Sequence, residues 1–276
     1  MAGPAQSEPI DLYLDLLARV LTRTFEPAEL RRWPHEPTSK ALGAGARLVG
    51  QVLARAGVGL YRQERVDPEL RAVGRDWPAT AETMVGLARL ANVRECIESV
   101  LADDVPGDLV ETGVWRGGTA IYMRAVLRAH GDGQRRVWAA DSFRGLPPPT
   151  VPQDAGDIHH TFDHLAVSRA DVEENFRKYG LLDEQVCFLE GWFADTLPSA
   201  PIEAIAVLRL DGDMYQSTWE ALTYLYPRVS PGGWVIVDDY GAIAGCRQAV
   251  HDYRDRHGIS APIRDVDWTG VYWRVP

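Results

Sequence analysis

The sequence predicts an α/β fold: a doubly wound, Rossmann-like parallel sheet with a terminal antiparallel hairpin and an N-terminal helical extension. Three observations carry this reading. Short apolar runs alternate with helical segments after Gly107, the runs are apolar on both faces, and the last two are joined by a short turn instead of a helix. The chain has 276 residues, 46% of them apolar and 25% charged, which suits one large domain with an appendage.

The elements follow in order. From Asp11, DLYLDLLARVLTRT places Leu12, Leu16, Val20 and Leu21, with Tyr13 and Leu17, on one face at helical spacing, and Asp11 can cap the start. A second helical stretch runs from Ser39 to about Ala56, beyond Pro27, Pro34 and Pro37, so the first 77 residues read as a helical appendage without a sheet. A third helix takes Pro78 as its first residue and continues through AETMVGLARLANVRECIESVLADD to the glycine of VPGD. DLVETG, VWAAD, VCFLEG, AVLRLDGD and WVIVDDY then read as parallel strands separated by crossover helices. IRDVDW and GVYWRV form the closing hairpin, an arrangement like that of methyltransferases.

Composition excludes several classes. With a net charge of −10 and no Lys/Arg block, the chain lacks the clustered positive charge that nucleic acid requires. Cys96, Cys187 and Cys246 are too few and too scattered for a disulfide framework or a zinc site, and suit small buried apolar positions. Residues 1–10, MAGPAQSEPI, lack the basic start and continuous apolar core of a secretory signal and no run approaches the length of a membrane span, so no membrane contact and a cytoplasmic location are expected. Between Asp141 and Ser168 lies a Pro- and Asp-rich connection too long for a routine turn, either a lid or a disordered loop. Ser168, with Asp171 three residues on, begins the next helix.

The chemistry gathers at strand ends. LVETGVWRGGTA follows the first strand with Glu111, Gly113, Gly117 and Gly118, a Gly-x-x-x-Gly-Gly spacing unlike the G-x-G-x-x-G of dinucleotide sites. Glu111 offers an anion to the ammonium of S-adenosylmethionine, although glycines also serve packing alone at such turns. Asp141 ends the second strand, where a carboxylate can bind a ribose diol, and Trp192 after the third can stack on adenine or simply cover a helix end. Asp211 and Asp213 follow one strand, Asp238 and Asp239 the next. Adjacent strands lie about 4.8 Å apart, so these carboxylates crowd and call for a hard cation such as Mg²⁺, with solvated loop acids as the alternative. His160 and His164 share a four-residue spacing but lack a third ligand.

The strings DLYLDLLARVLTRT, GDLVETGVWRGGTA, ADSFRGLP, EGWFADTLP, RLDGDMYQSTWEALTYLYP and GGWVIVDDY together resemble the macrocin O-methyltransferase family, metal-dependent enzymes that methylate deoxysugars of antibiotics. The likeness runs from Asp11 to the last strand, with a more distant one to catechol-type enzymes. It implies that Asp211, Asp238 and Asp239 hold Mg²⁺ and that Asp213 is the general base. It also implies that Met84, Val85, Glu111, Gly113, Thr119, Asp141, Ser142, Gly191 and Trp192 bind S-adenosylmethionine. Residues 78–276 then form the methyltransferase domain and residues 1–77 a substrate cover. The expected partner is a glycosylated natural product, and a homo-oligomer is expected. Where catechol-type enzymes carry a lysine base, this chain has Asp213, Met214 and Tyr215, which favours a sugar over a phenol. A phenol acceptor, or a binding module that keeps the fold without catalysis, are the competing readings.

Overall fold

The computed structural model describes residues 4–26, 28–32, 49, 52–53, 55, 57–59, 61–76 and 79–276. Helix α1 (Pro4–Thr22) leads to strands β1 (Ala28–Arg32) and β2 (Tyr61–Arg65), then α2 (Pro68–Ala72) and α3 (Leu87–Ala102). The main sheet contains β3 (Asp108–Thr112), β4 (Val137–Asp141), β5 (Val186–Glu190), β6 (Ile205–Leu210), β7 (Val229–Val237), β8 (Arg264–Asp265) and β9 (Val271–Arg274), in the order β5-β4-β3-β6-β7-β9-β8. Strands β3 to β7 are parallel, and β9 runs antiparallel to both β7 and β8, which is the hairpin the sequence predicts. The crossovers are α4 (Gly118–Ala129), α5 (Arg169–Lys178), α6 (Phe193–Thr196), α7 (Tyr215–Leu225) and α8 (Ala244–His257).

Two cores explain why the strands are apolar on both faces. Leu109, Val207 and Ile236 pack against α1, α3, α4 and α5, whereas their neighbours Val110, Leu208 and Val235 pack against α7 and α8. Alternate side chains point to opposite faces of a strand, so each of these strands contributes to both cores.

Three N-terminal expectations are corrected. Helix α1 begins at Pro4, before Asp11, so Asp11 cannot cap it and instead pairs with Arg94 of α3. Its buried stripe is Leu14, Leu17, Ala18 and Leu21, while Leu12 and Leu16 are 65% and 62% exposed. The apolar pattern is wide enough for either stripe, and contact with α3 and α4 selects one. Second, β1 and β2 form an antiparallel ribbon, with Ala28 opposite Arg65, where no sheet was expected. Much of the helical stretch expected over Ser39 to Ala56 lies outside the described residues, as does Pro78. Third, α3 starts at Leu87 with Gly86 as N-cap. Residues 79–86 stay irregular because their backbone serves neighbours: Glu82 N donates to Leu21 O, Gly118 N donates to Glu82 O, and Val85 N donates to Thr83 Oγ1.

The long connection after β4 is folded into three 3₁₀ turns, Pro152–Asp154, His159–Thr161 and Asp163–Leu165. Ser168 caps α5 by accepting from Asp171 N. Cys96 and Cys246 are buried, Cys187 is half-buried, and all three thiols are free.

Candidate active site

The site is built from the register of two central strands. Glu111 on β3 is the register partner of Arg209 on β6, which puts both side chains on one face of the sheet. Arg209 Nη1 donates to Glu111 Oε1 at 2.7 Å and to Asp211 Oδ2, also at 2.7 Å. Its Nη2 donates to Asp238 Oδ1, and the second oxygen of Asp238 accepts from Arg89 Nη1 of α3. Arg89 continues to Asp267 at 3.0 Å and to the carbonyl of Gly74 at 3.2 Å. Asp238 is thus held between two guanidinium groups.

The charges divide accordingly. Burial opposes ionisation of Asp238, yet Arg209 and Arg89 keep its pKa below the usual value. Burial raises Asp211 and Asp239, and neighbouring carboxylates add to both shifts. Asp213 is pushed up to about 7 by burial and by the charge of Asp211, against a smaller opposing effect of His159. Burial carries Glu111 up to about 8 in spite of Arg209, and its Oε2 has no partner. One oxygen from each of Asp211, Asp238 and Asp239 lies within 4.8 Å of the others. Hard donors this close, two of them with raised pKa values, fit a divalent cation of the Mg²⁺ class.

The turns that carry these groups are strained. Trp115, Phe143 and Asp213, which follow β3, β4 and β6, have φ of 47°, 56° and 57°. Such conformations are uncommon for residues with a side chain and cluster at functional sites. Gly113, at φ 85°, has no alternative: a Cβ there would fall 1.6 Å from the Asp211 carbonyl oxygen. Asp141 ties two of the turns together, with Oδ2 accepting from Val114 N and Oδ1 from Phe143 N, both at 2.7 Å. Burial raises its pKa and these N–H groups oppose the shift.

Two adjoining cavities open here, of about 320 and 270 Å³, sharing Met84, Trp115, Leu165, Asp211 and Asp213 in their walls. The larger is also lined by Gly113, Asp141, Ser142, Gly191 and Trp192, the smaller by Val85, Glu111, Thr119, Asp238 and Asp239. Every site residue expected from the sequence therefore lines one cleft or the other. His160 and His164 do not, being exposed on the insertion. His159 does, with Nδ1 2.8 Å from Asp157 Oδ2. Sequence reasoning missed it, along with Arg209 and Arg89. Arg209 had one signal, a charge inside an otherwise apolar strand.

The family model of macrocin-O-methyltransferase (TylF) matches residues 10–275. The chain belongs to the macrocin O-methyltransferase family. It is an O-methyltransferase with the fold of S-adenosylmethionine-dependent enzymes. Within the family it is 53% identical over 269 residues, 96% of this chain and 92% of the other, to a Streptomyces olivaceus protein, 8-demethyl-8-(2,3-dimethoxy-alpha-L-rhamnosyl)-tetracenomycin-C 4'-O-methyltransferase. It is 48% identical over 269 residues, 95% of this chain and 93% of the relative, to the demethyldecarbamoylnovobiocin O-methyltransferase of Streptomyces niveus. The solved structure of the O-methyltransferase NovP superposes with a TM-score of 0.82 at 46% identity, covering 96% of this chain and 99% of that one. Among the described residues, no helix is long and apolar enough to cross a membrane.

Proposed function

We propose that this enzyme transfers the methyl group of S-adenosylmethionine to a sugar hydroxyl of a glycosylated natural product, with Mg²⁺ held by Asp211, Asp238 and Asp239. The single observation that carries the reading is the juxtaposition of the acidic triad with Asp213 where the two cavities meet. The name of the Streptomyces olivaceus relative, which specifies a rhamnosyl-bearing tetracenomycin, supports the substrate class. Asp141 and Ser142 would receive the ribose, Gly191 and Trp192 the adenine, and Glu111, Gly113 and Thr119 the methionine end beneath Met84 and Val85. The unpartnered Oε2 of Glu111 suits an ammonium, since a buried carboxylate oxygen without a donor is costly. When bound, the cation would supply Lewis-acid stabilisation of the developing oxyanion. Asp213, in the walls of both cavities, is the side chain placed to take the hydroxyl proton. Met84 and Trp115, in the walls of both cavities, hold donor and acceptor in one enclosure so that they react as a single assembly.

The N-terminal part contributes to the acceptor side. Gly74 lines the smaller cavity, and Trp268 Nε1 donates to Val73 O at 2.8 Å. A homo-oligomer belongs to the same proposal, supported by the exposed Leu12 and Leu16 of α1; sedimentation decides it. The test of function is methyl transfer from labelled S-adenosylmethionine across glycosylated and phenolic acceptors, with and without chelator. Transfer to a sugar hydroxyl that stops in chelator and returns with Mg²⁺ is the expected result. Preferred transfer to free catechols, or full activity in chelator, would overturn it.

A further inference from the structure

Asp154 lies in the polar insertion between β4 and α5, yet only 4% of it is exposed. Its Oδ1 accepts from Tyr215 N at 2.7 Å and its Oδ2 from Gln216 N at 3.1 Å. These are successive N–H groups in the first turn of α7, which has no side-chain cap of its own because Met214 stands at the N-cap. The cap is supplied from 61 residues away. Two further contacts seat it. Thr150 Oγ1 donates to Gln216 Oε1, and Gly245 of α8 closes the other side, where a Cβ would lie 3.0 Å from Asp154 Oδ1 and 3.2 Å from Tyr215 N.

This joint lies beside the base. Asp213 is two residues before Tyr215, in a left-handed conformation, and its N–H donates to Asp239 Oδ2 at 3.1 Å. The strap from Asp211 to Tyr215 is therefore fixed at one end by β6 and Asp239 and at the other by a carboxylate of the insertion. Five residues beyond Asp154, His159 reaches the cleft that Asp213 lines. We propose that Asp154 is a positioning residue for Asp213: seating the insertion on α7 fixes the backbone that aims the base and brings His159 to the acceptor side in the same step. The proposal rests on Asp213 being the base, and it makes the insertion part of the catalytic scaffold as well as a cover.

The experiment compares wild type, Asp154→Ala, Asp154→Asn and Asp213→Asn by methyl-transfer kinetics, calorimetry with S-adenosylhomocysteine, and hydrogen exchange read by mass spectrometry. In Asp154→Ala, kcat should fall about 10²-fold, the loss that a misplacement of about 1 Å produces, with cofactor affinity unchanged. Exchange in the first turn of α7 and across residues 150–166 should accelerate together. Asp154→Asn keeps an acceptor for Tyr215 N and should fall between the two, and it carries the test if the alanine variant does not fold. A wild-type kcat in Asp154→Ala, with α7 exchanging faster and Asp213→Asn inactive, would reduce Asp154 to a helix cap and overturn the proposal alone. Normal turnover in Asp213→Asn would remove the base assignment and the proposal with it.

Discussion

Replacing Arg209 by Met tests the electrostatic account of the site most directly. The guanidinium is 1% exposed and donates to Glu111, Asp211 and Asp238. Met fills much of the volume, so the loss is one of charge compensation. Asp238 keeps Arg89, whereas Glu111, which is equally buried, is left with neither oxygen paired. Removing one member of a buried ion network costs about 3–5 kcal/mol. At roughly 2–4 °C per kcal/mol for a chain of this size, the melting temperature should fall by roughly 6–20 °C. The sign of the pH dependence follows from Glu111. Its folded pKa, already raised to about 8, rises further without Arg209, so towards pH 8 the variant's folded state keeps a proton that the wild-type folded state has begun to release. The deficit must therefore grow as pH rises, being larger at pH 8 than at pH 6. Urea denaturation at both values, in metal-free buffer, measures it. A loss below about 1 kcal/mol, or a deficit that shrinks with rising pH, would refute the reasoning.

Other outcomes follow from the same geometry. Asp213→Asn preserves shape but removes the basic oxygen, so turnover should fall about 10² to 10⁴-fold with cofactor affinity unchanged by calorimetry. In wild type, turnover should rise with pH through an acidic limb near the Asp213 value of about 7, and saturating Mg²⁺ should move that limb lower, because a cation favours the carboxylate; a pH–rate series at two Mg²⁺ concentrations checks it. Glu111→Ala and Asp141→Ala should each weaken S-adenosylmethionine binding by about 1.5–3 kcal/mol, and Asp141→Ala should also loosen the turns after β3 and β4, visible as faster exchange at Val114 and Phe143.

How much of this was legible in the chain depends on the range of the interactions. The strands were readable because each buries both faces, and AVLRLDGD and WVIVDDY end where the acids stand, so adjacency in the sheet was enough to bring Asp211, Asp238 and Asp239 together. The buried stripe of α1 was not, since DLYLDLLARVLTRT has apolar residues on two neighbouring stripes and only contact with α3 and α4 separates Leu14 from Leu12. Residues 79–86 defeated the helix expectation because their hydrogen bonds go to Leu21 and Gly118, far away in sequence. Arg209 announced that it had a partner without saying which. Asp154 is one of several acids in its loop, and nothing local marks it as the one that caps α7.

The insertion after β4 leaves the sheet and returns to it without entering any ladder, and Thr150, Asp154 and His164 each hydrogen-bond it to other parts of the fold. Asp154 grips α7, and the His164 carbonyl accepts from Trp115 Nε1 at 2.9 Å. Between Asp154 and His164 a change in length should cost the sheet little, because closure entropy grows slowly with loop size. A graft of residues 155–163 from a relative, with Asp154 and the 164–165 turn retained, should therefore exchange acceptor preference while leaving donor affinity intact. Moving the whole segment without its anchors should yield a folded enzyme whose donor site is filled but idle. Residues 155–163 of this chain thus form a short cassette held between two fixed posts.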